Sequence, residues 1–344
     1  MDTLACPAGS VLWVEQPFLS PRDRTSRDFG VIRLSNSIPY GARSTADQVL
    51  AGIDLHKKCI LVTGCNSGIG FETMKALAAN GTHVIGLSRS FTSAKNACDK
   101  VGRFATPVAC DLADLDSVAE AAATIRGLQV PLDAIIANAG IANPPARQTR
   151  FGIELQFLVN HIGHFSLVNQ LVNLVRDGSG RIVIVSSRAS INHAPSEGIM
   201  FDNLDGHRAY EPFTFYGQSK LAVALYAKEL SHRLRGRGIA ANSVHPGATR
   251  GTGLNKNLRL PLRIVHSAAR LFMKSTAQGA ATQTLLAASP RVTGITGEYW
   301  ADCQIARGSP LLNDRDLAKR LWNLSAQMVT RQNPSQSKSM QLAA

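Results

Sequence analysis

The chain lacks any run of about 18 apolar residues, the length a helix needs to cross a bilayer. It also lacks the ordered basic, apolar and cleavage regions of a signal peptide, because acids and prolines appear early. Its six cysteines, Cys6, Cys59, Cys65, Cys98, Cys110 and Cys303, form no Cys-x-x-Cys and no regular spacing. A disulfide framework is therefore excluded, and the thiols are expected to be reduced in a cytoplasmic setting, with Cys59 and Cys110 serving as small buried hydrophobes. Acids are scarce: 24 Asp and Glu against 37 Lys and Arg leave a net charge of +13. The basic residues are scattered, without a run and without interleaved aromatics, so no nucleic-acid partner is expected. The charge instead favours a small anionic ligand such as a nucleotide cofactor. Internal repeats and low-complexity tracts are absent as well.

What is present is a globular composition, 44% hydrophobic and 18% charged. Residues 1–43 stand apart, punctuated by Pro7, Pro17, Pro21 and Pro39, and are expected to form a flexible leader. One catalytic domain is expected over 44–330, with a flexible tail over 331–344. Apolar runs at Cys59–Thr63, His83–Leu87, Ala105–Cys110, Ala134–Ala137, Arg181–Val185 and Ile239–Val244 read as strands buried on both faces. Helical spacing over Phe71–Asn80, Asp114–Arg126, Gly152–Arg176 and Gln218–Arg235 alternates with them. Such alternation predicts an α/β fold, a single doubly wound parallel sheet with helices on both faces.

The most informative motif is Tyr216-Gly-Gln-Ser-Lys220, a phenol and an ammonium one helical turn apart. A phenol titrates near pH 10, so a proton-donating tyrosine working near neutrality needs a cation beside it. Upstream, an apolar strand runs into Gly64-Cys-Asn66-Ser67-Gly68-Ile69-Gly70 and then a helix, the arrangement that lets backbone approach a pyrophosphate. After the second strand stands Gly86-Leu87-Ser88-Arg89-Ser90, with no acid nearby to accept from a ribose 2′-hydroxyl. Arg89 suits a 2′-phosphate, which favours NADP over NAD. Asp111, followed by Leu112, has two readings: an acceptor for the adenine amino group, or the N-cap of the helix before Leu115. Asn138-Ala139-Gly140 supplies small residues where an adenosine ribose would pack.

These motifs in this order resemble the short-chain dehydrogenase/reductase family, over nearly all of the chain from Ser44 to Met328. Phe157-Leu-Val-Asn-His-Ile-Gly-His-Phe165, His245-Pro-Gly-Ala-Thr249 and Gly297-Glu-Tyr-Trp-Ala-Asp302 are similar to the retinol dehydrogenase and WW-domain-oxidoreductase branch, with no WW domain expected ahead of the catalytic region. The resemblance implies a tetrad of Asn160, Ser187, Tyr216 and Lys220. Tyr216 would be the acid or base, Lys220 would lower its pKa and hold the nicotinamide ribose, and Ser187 would donate to the substrate oxygen. Asn160 would hold a relay water. It also implies that Pro246, Gly247 and Thr249 meet the nicotinamide carboxamide.

Ser186 and Ser190 are alternatives to Ser187, with strand alternation allowing only one of the adjacent pair into the cleft. His161 and His164 have ligand-like spacing but no third ligand, so no metal is expected; packing near the sheet or a subunit contact remains for them, and with it a homo-oligomer. Ala137 stands where relatives often carry an additional Asn. The segment 188–215, with Asp202, Asp205, His207 and Tyr210, is expected over the substrate. Leu258, Leu262, Val265, Leu271 and Phe272, within 251–274, are either walls of an apolar pocket or ordinary core. The expected function is interconversion of an alcohol and a carbonyl on a lipophilic small molecule. A reductase of activated C=C bonds and a non-catalytic NADP-binding regulator are the alternatives.

Overall fold

Strand β1 (Cys59–Thr63) is buried along its whole length, and its neighbours explain why. It lies between β2 (His83–Ser88) and β4 (Ala134–Ala137), parallel to both, with Leu61 beside Ile85 on one side and Ile135 on the other. The computed structural model describes residues 38–251 and 273–332, all within one compact unit that begins at Ile38. Beyond β2 lies β3 (Ala105–Ala109); beyond β4 lie β7 (Arg181–Val185), β8 (Ala240–His245) and β9 (Tyr299–Ala301). Only the short β10 (Gln304–Ile305) runs antiparallel, at the edge of the eight-stranded sheet. The chain order turns back between β1 and β4, and a crevice opens there beyond the C-terminal ends of the strands.

Helices cover both faces. Helices α1 (Ala46–Leu50), α2 (Gly68–Ala79) and α9 (Thr276–Ala288) pack together on one side. On the other lie α4 (Leu115–Gly127), α6 (Gly163–Leu171), α8 (Pro212–Arg233) and α10 (Arg315–Gln332). Phe157, Phe165, Tyr226 and Trp322 stack in the core beneath that second layer. The remaining elements are α3 (Phe91–Val101), which lies against β2 and β3, and a short α7 (Ala189–Asn192) after β7. Among the described residues no helix is long and apolar enough to cross a membrane.

Two expected helix boundaries move. The helix expected from Gly152 begins at Leu155, because Phe151 and Gly152 both take positive φ and close a tight hairpin between β5 (Thr149–Arg150) and β6 (Ile153–Glu154). It then runs through α5 (Leu155–Phe157) and a π-helical turn, Leu158–Ile162, that carries Asn160. The helix expected from Gln218 begins instead at Pro212, capped by Glu211, because proline is well suited to a first helical turn. Tyr216 therefore sits inside α8. Helices α1, α3, α9 and α10 and the strands β9 and β10 had no counterpart among the expected elements.

The expected leader lies outside the described residues except for 38–43, and most of the expected tail, 333–344, lies outside too. Residues 38–43 dock onto the fold: Gln304 donates to the carbonyls of Ile38 and Tyr40, and Gln278 to that of Arg43. The expected pocket wall of Leu258, Leu262, Val265, Leu271 and Phe272 falls outside the described residues.

Candidate active site

A cavity of about 1400 Å³ follows the C-terminal edge of the sheet. Its middle is the glycine turn between β1 and α2, where Gly64 and Gly68 take φ of 69° and 58°. A Cβ on Gly70 would lie 2.2 Å from the Gly64 carbonyl oxygen and 2.5 Å from Asn138 Nδ2, so only glycine fits. No side chain caps the first turn of α2, although Ser67 occupies the cap position. Its backbone N–H groups therefore stay open toward the cavity, an anion site by construction. Asn66, Ser67, Gly68 and Ile69 line the cavity beside them. The turn fits a dinucleotide pyrophosphate.

Asn138 holds this turn from below. Its Nδ2 donates to the Thr63 carbonyl at 2.8 Å, and its Oδ1 accepts from Gln283 at 3.2 Å. Thr63 Oγ1 accepts from the N–H groups of Asn138 and Ala139 and meets His164 Nε2 at 2.9 Å. His161 meets Ser325 Oγ at 2.8 Å instead. Burial pulls both imidazoles down, to about 3 for His161 and about 4 for His164, so both are neutral packing residues. Among the described residues no group of three His, Cys, Asp or Glu could hold a metal ion. The five described cysteines are buried and unpaired.

On the β2 and β3 side of the turn, Arg89, Asp111 and Leu112 line the cavity. Arg89 is exposed, and its guanidinium has no ion pair among the described residues. The helix N-cap is Asp114, which accepts from Asp116 and Ser117, and not Asp111. Three residues upstream of the cap, the Asp111 side chain accepts from Ala113 N–H and its carbonyl from Asp114 N–H, because the chain turns once more before α4 starts.

On the β7 and β8 side stand Ser187, Tyr216 and Lys220, together with Pro246, Gly247 and Thr249. The serine alternatives separate cleanly. Ser186 Oγ is buried and donates to the Lys220 carbonyl at 2.6 Å, and Ser190 Oγ donates to the Ser187 carbonyl at 2.7 Å. Ser187 Oγ accepts from Ala189 N–H at 3.2 Å and lines the cavity near the Tyr216 hydroxyl. Burial raises the phenol above its usual value, and the nearby Ser187 hydroxyl offsets only part of that. Lys220 is buried, and burial pulls its ammonium down to about 8. Its Nζ donates to the Val185 carbonyl at 2.9 Å and lies 5.9 Å from the Tyr216 ring centre. The lowering of the phenol expected from this lysine is thus absent in the protein alone.

Asn160 does not line the cavity. Its amide donates to the Ile141 carbonyl at 3.0 Å and to Ser219 Oγ at 2.9 Å, while its Oδ1 accepts from Ile141 N–H at 2.9 Å. This clamps the loop after β4 so closely that a Cβ on Gly140 would lie 3.0 Å from Asn160 Oδ1 and 3.2 Å from Lys220 Nζ. Gly140 and Ala139 line the cavity with Asn138. The segment expected over the substrate reaches the cavity only at its ends, through Arg188, Ala189, Asn192, His193 and Phe213. Its middle packs away from it: Gly198 lies against Leu311 and Leu317, and the Tyr210 ring lies against Phe215 with 5.0 Å between centres. Lining residues with no site role expected of them include Arg43, Asn143 and Gln278. Ser275-Thr-Ala-Gln278 is a capping box and was readable as a helix start, but nothing local ties it to Arg43.

Comparison with known proteins agrees with this geometry. Residues 58–199 match the short chain dehydrogenase family model. The chloroplastic short-chain dehydrogenase TIC 32 A of Brassica napus is 36% identical over 303 residues, which are 84% of this chain and 94% of that protein. Retinol dehydrogenase 14 of Homo sapiens is 34% identical over 297 residues, 80% of this chain and 87% of that protein. A solved structure of an uncharacterized protein from Mycobacterium paratuberculosis superposes with a TM-score of 0.67 at 30% identity, covering 83% of this chain and 97% of that one. The chain belongs to the short-chain dehydrogenase/reductase family and is an oxidoreductase built on its nicotinamide-binding fold.

Proposed function

We propose that this protein is an NADP-dependent oxidoreductase that interconverts an alcohol and a carbonyl on a lipophilic substrate. The observation that carries the reading is the placement of Ser187 beside Tyr216 in a cavity that also holds an open helix N-terminus and the buried Lys220. A nicotinamide dinucleotide bound there would supply or accept a hydride. The glycine turn would hold its pyrophosphate, Arg89 its 2′-phosphate, and Lys220 its nicotinamide ribose. Pro246, Gly247 and Thr249 would hold the carboxamide.

The substrate oxygen fits between the two hydroxyls of Ser187 and Tyr216. Ser187 donates to it, and Tyr216 gives its proton in reduction or takes the carbinol proton in oxidation. Because burial holds the phenol in its protonated form, Tyr216 is ready as an acid, and its use as a base needs added positive charge in the cavity. Asn160 is a positioning residue that keeps Gly140 and Ile141 against Lys220. For cofactor choice, the support is chemical: Arg89 is unpaired and no acid follows β2.

Tyr216→Phe tests the reading, assayed by NADPH oxidation over aldehydes, ketones and enones. Turnover should fall by about 10²–10⁴-fold, the usual contribution of a positioned acid or base, with NADPH affinity kept. Retention of most of the wild-type rate would refute the mechanism. Activity confined to enones would redirect it to C=C reduction.

A further inference from the structure

Arg188 follows Ser187 directly, and its side chain is exposed on the cavity lining with no ion pair or side-chain hydrogen bond among the described residues. Its backbone is fixed: the N–H donates to His245 Nδ1 at 3.2 Å, and the carbonyl accepts from Ile191 and Asn192. The neighbouring cations are already engaged. Lys274 pairs with Asp302, the acid that lines this side of the cavity, and Lys220 is held by Val185. His245 accepts a hydrogen bond at Nδ1, and burial, followed by the charges of Arg188 and Lys274, pulls it down to about 4, so it stays neutral.

A cofactor phosphate is a poor partner for Arg188. Arg89 follows β2, and β7 lies three strands away, roughly 14 Å at about 4.8 Å per strand. The part of a nicotinamide cofactor that would lie nearest Ser187 is its neutral carboxamide end. Arg188 and Ser187 are adjacent in the chain, their Cα atoms about 3.8 Å apart, and both line the same cavity, so one small molecule can reach both side chains.

We propose that the substrate carries a carboxylate a few carbons from its reacting carbonyl or carbinol, and that Arg188 binds this carboxylate as a specificity-determining residue. The proposal rests on the oxidoreductase reading and narrows its substrate class from lipophilic to amphipathic, an oxo or hydroxy acid. A guanidinium is suited to this because its two parallel N–H donors match the two carboxylate oxygens.

The test compares kcat/KM for succinic and adipic semialdehydes with that for their monomethyl esters, using the full chain and NADPH. The wild type should prefer the acids by about ten- to hundredfold, as expected for a charge-assisted hydrogen bond. Arg188→Gln should bring the acid-to-ester ratio close to one, and Arg188→Lys should keep part of it. Calorimetric titration of hexanoate and methyl hexanoate into the NADP-saturated protein gives the same comparison without turnover. If no carbonyl is turned over, the oxidoreductase reading fails, while an Arg188-dependent preference for hexanoate still supports a carboxylate site. Equal affinities for hexanoate and its ester, an acid preference that survives in Arg188→Gln, or weakened NADPH binding in that variant would each overturn the proposal.

Discussion

The two ends of the parallel strands treat charge in opposite ways. Where the strands begin, Asp133 accepts from Cys59 N–H at 2.9 Å and Lys58 Nζ at 3.0 Å, and it pairs with Arg176 at 3.2 Å. Arg181, at the start of β7, donates to the carbonyls of Leu286 and Ser289 and to Thr293 Oγ1. Where the strands end, Arg89 and Arg188 face the cavity without a partner, and Lys220 is buried against a carbonyl with its pKa pulled down to about 8. A charge whose hydrogen bonds are satisfied within the protein serves stability. One left open toward a cavity is poised for a ligand. The same residue types are structural at one end and chemical at the other.

Acid should separate stability from the site most strongly. Unfolded imidazoles take up protons near pH 6.5, whereas His161 and His164 do so only near 3 and 4. Their folded pKa values are depressed, so this stability is fully present above pH 6.5 and falls as pH drops below it. Each imidazole costs about 1.4 kcal/mol per pH unit, or about 3–4 kcal/mol for the pair between pH 7 and pH 5. Glu154, raised by burial, works in the opposite sense. Urea unfolding at the two pH values measures the difference, and a change below about 1 kcal/mol would mean that these rings are not buried as neutral groups.

The starting end of the sheet can be broken without touching the chemistry. Asp133→Ala leaves Cys59 N–H unsatisfied and frees two cations that are themselves half exposed, so about 2–3 kcal/mol of stability should be lost. Turnover per folded molecule should stay at the wild-type level; a matching fall in kcat would erase the contrast between the two ends. The smallest effect sharpens it from the other side. Arg89→Ala should leave the melting temperature unchanged and narrow the preference for NADPH over NADH by about 1–2 kcal/mol, because the lost contact is solvent-exposed. Equal affinities for the two cofactors in the wild type would remove Arg89 from the site.

Much of this was legible because it is local. The strand, glycine turn and helix that form the open anion site are contiguous from Cys59 to Ala79, and Tyr216 and Lys220 share one helix. Local reading failed where one residue type has two uses. Phe151 and Gly152 at positive φ close a hairpin where a helix was expected to start at Gly152, and Pro212 opens α8 ahead of the expected start at Gln218. It failed again where contacts are distant. Arg43 borders the cavity because Gln278, 235 residues away, holds its carbonyl.

By itself the sequence determined the fold class, the glycine turn between strand and helix, the phenol–ammonium pair and the absence of an acid after β2. Each is written in periodicity or short spacing, which backbone geometry alone converts into structure. Only the tertiary structure decided that Ser186 is tied to the Lys220 carbonyl while Ser187 stands near Tyr216, and that Asn160 clamps a loop rather than lining the cavity. It also decided that Arg188 is open while Lys274 is paired. The reason is that hydrogen-bond satisfaction depends on which groups packing brings within about 3 Å, and those groups come from strands and helices far apart in the chain.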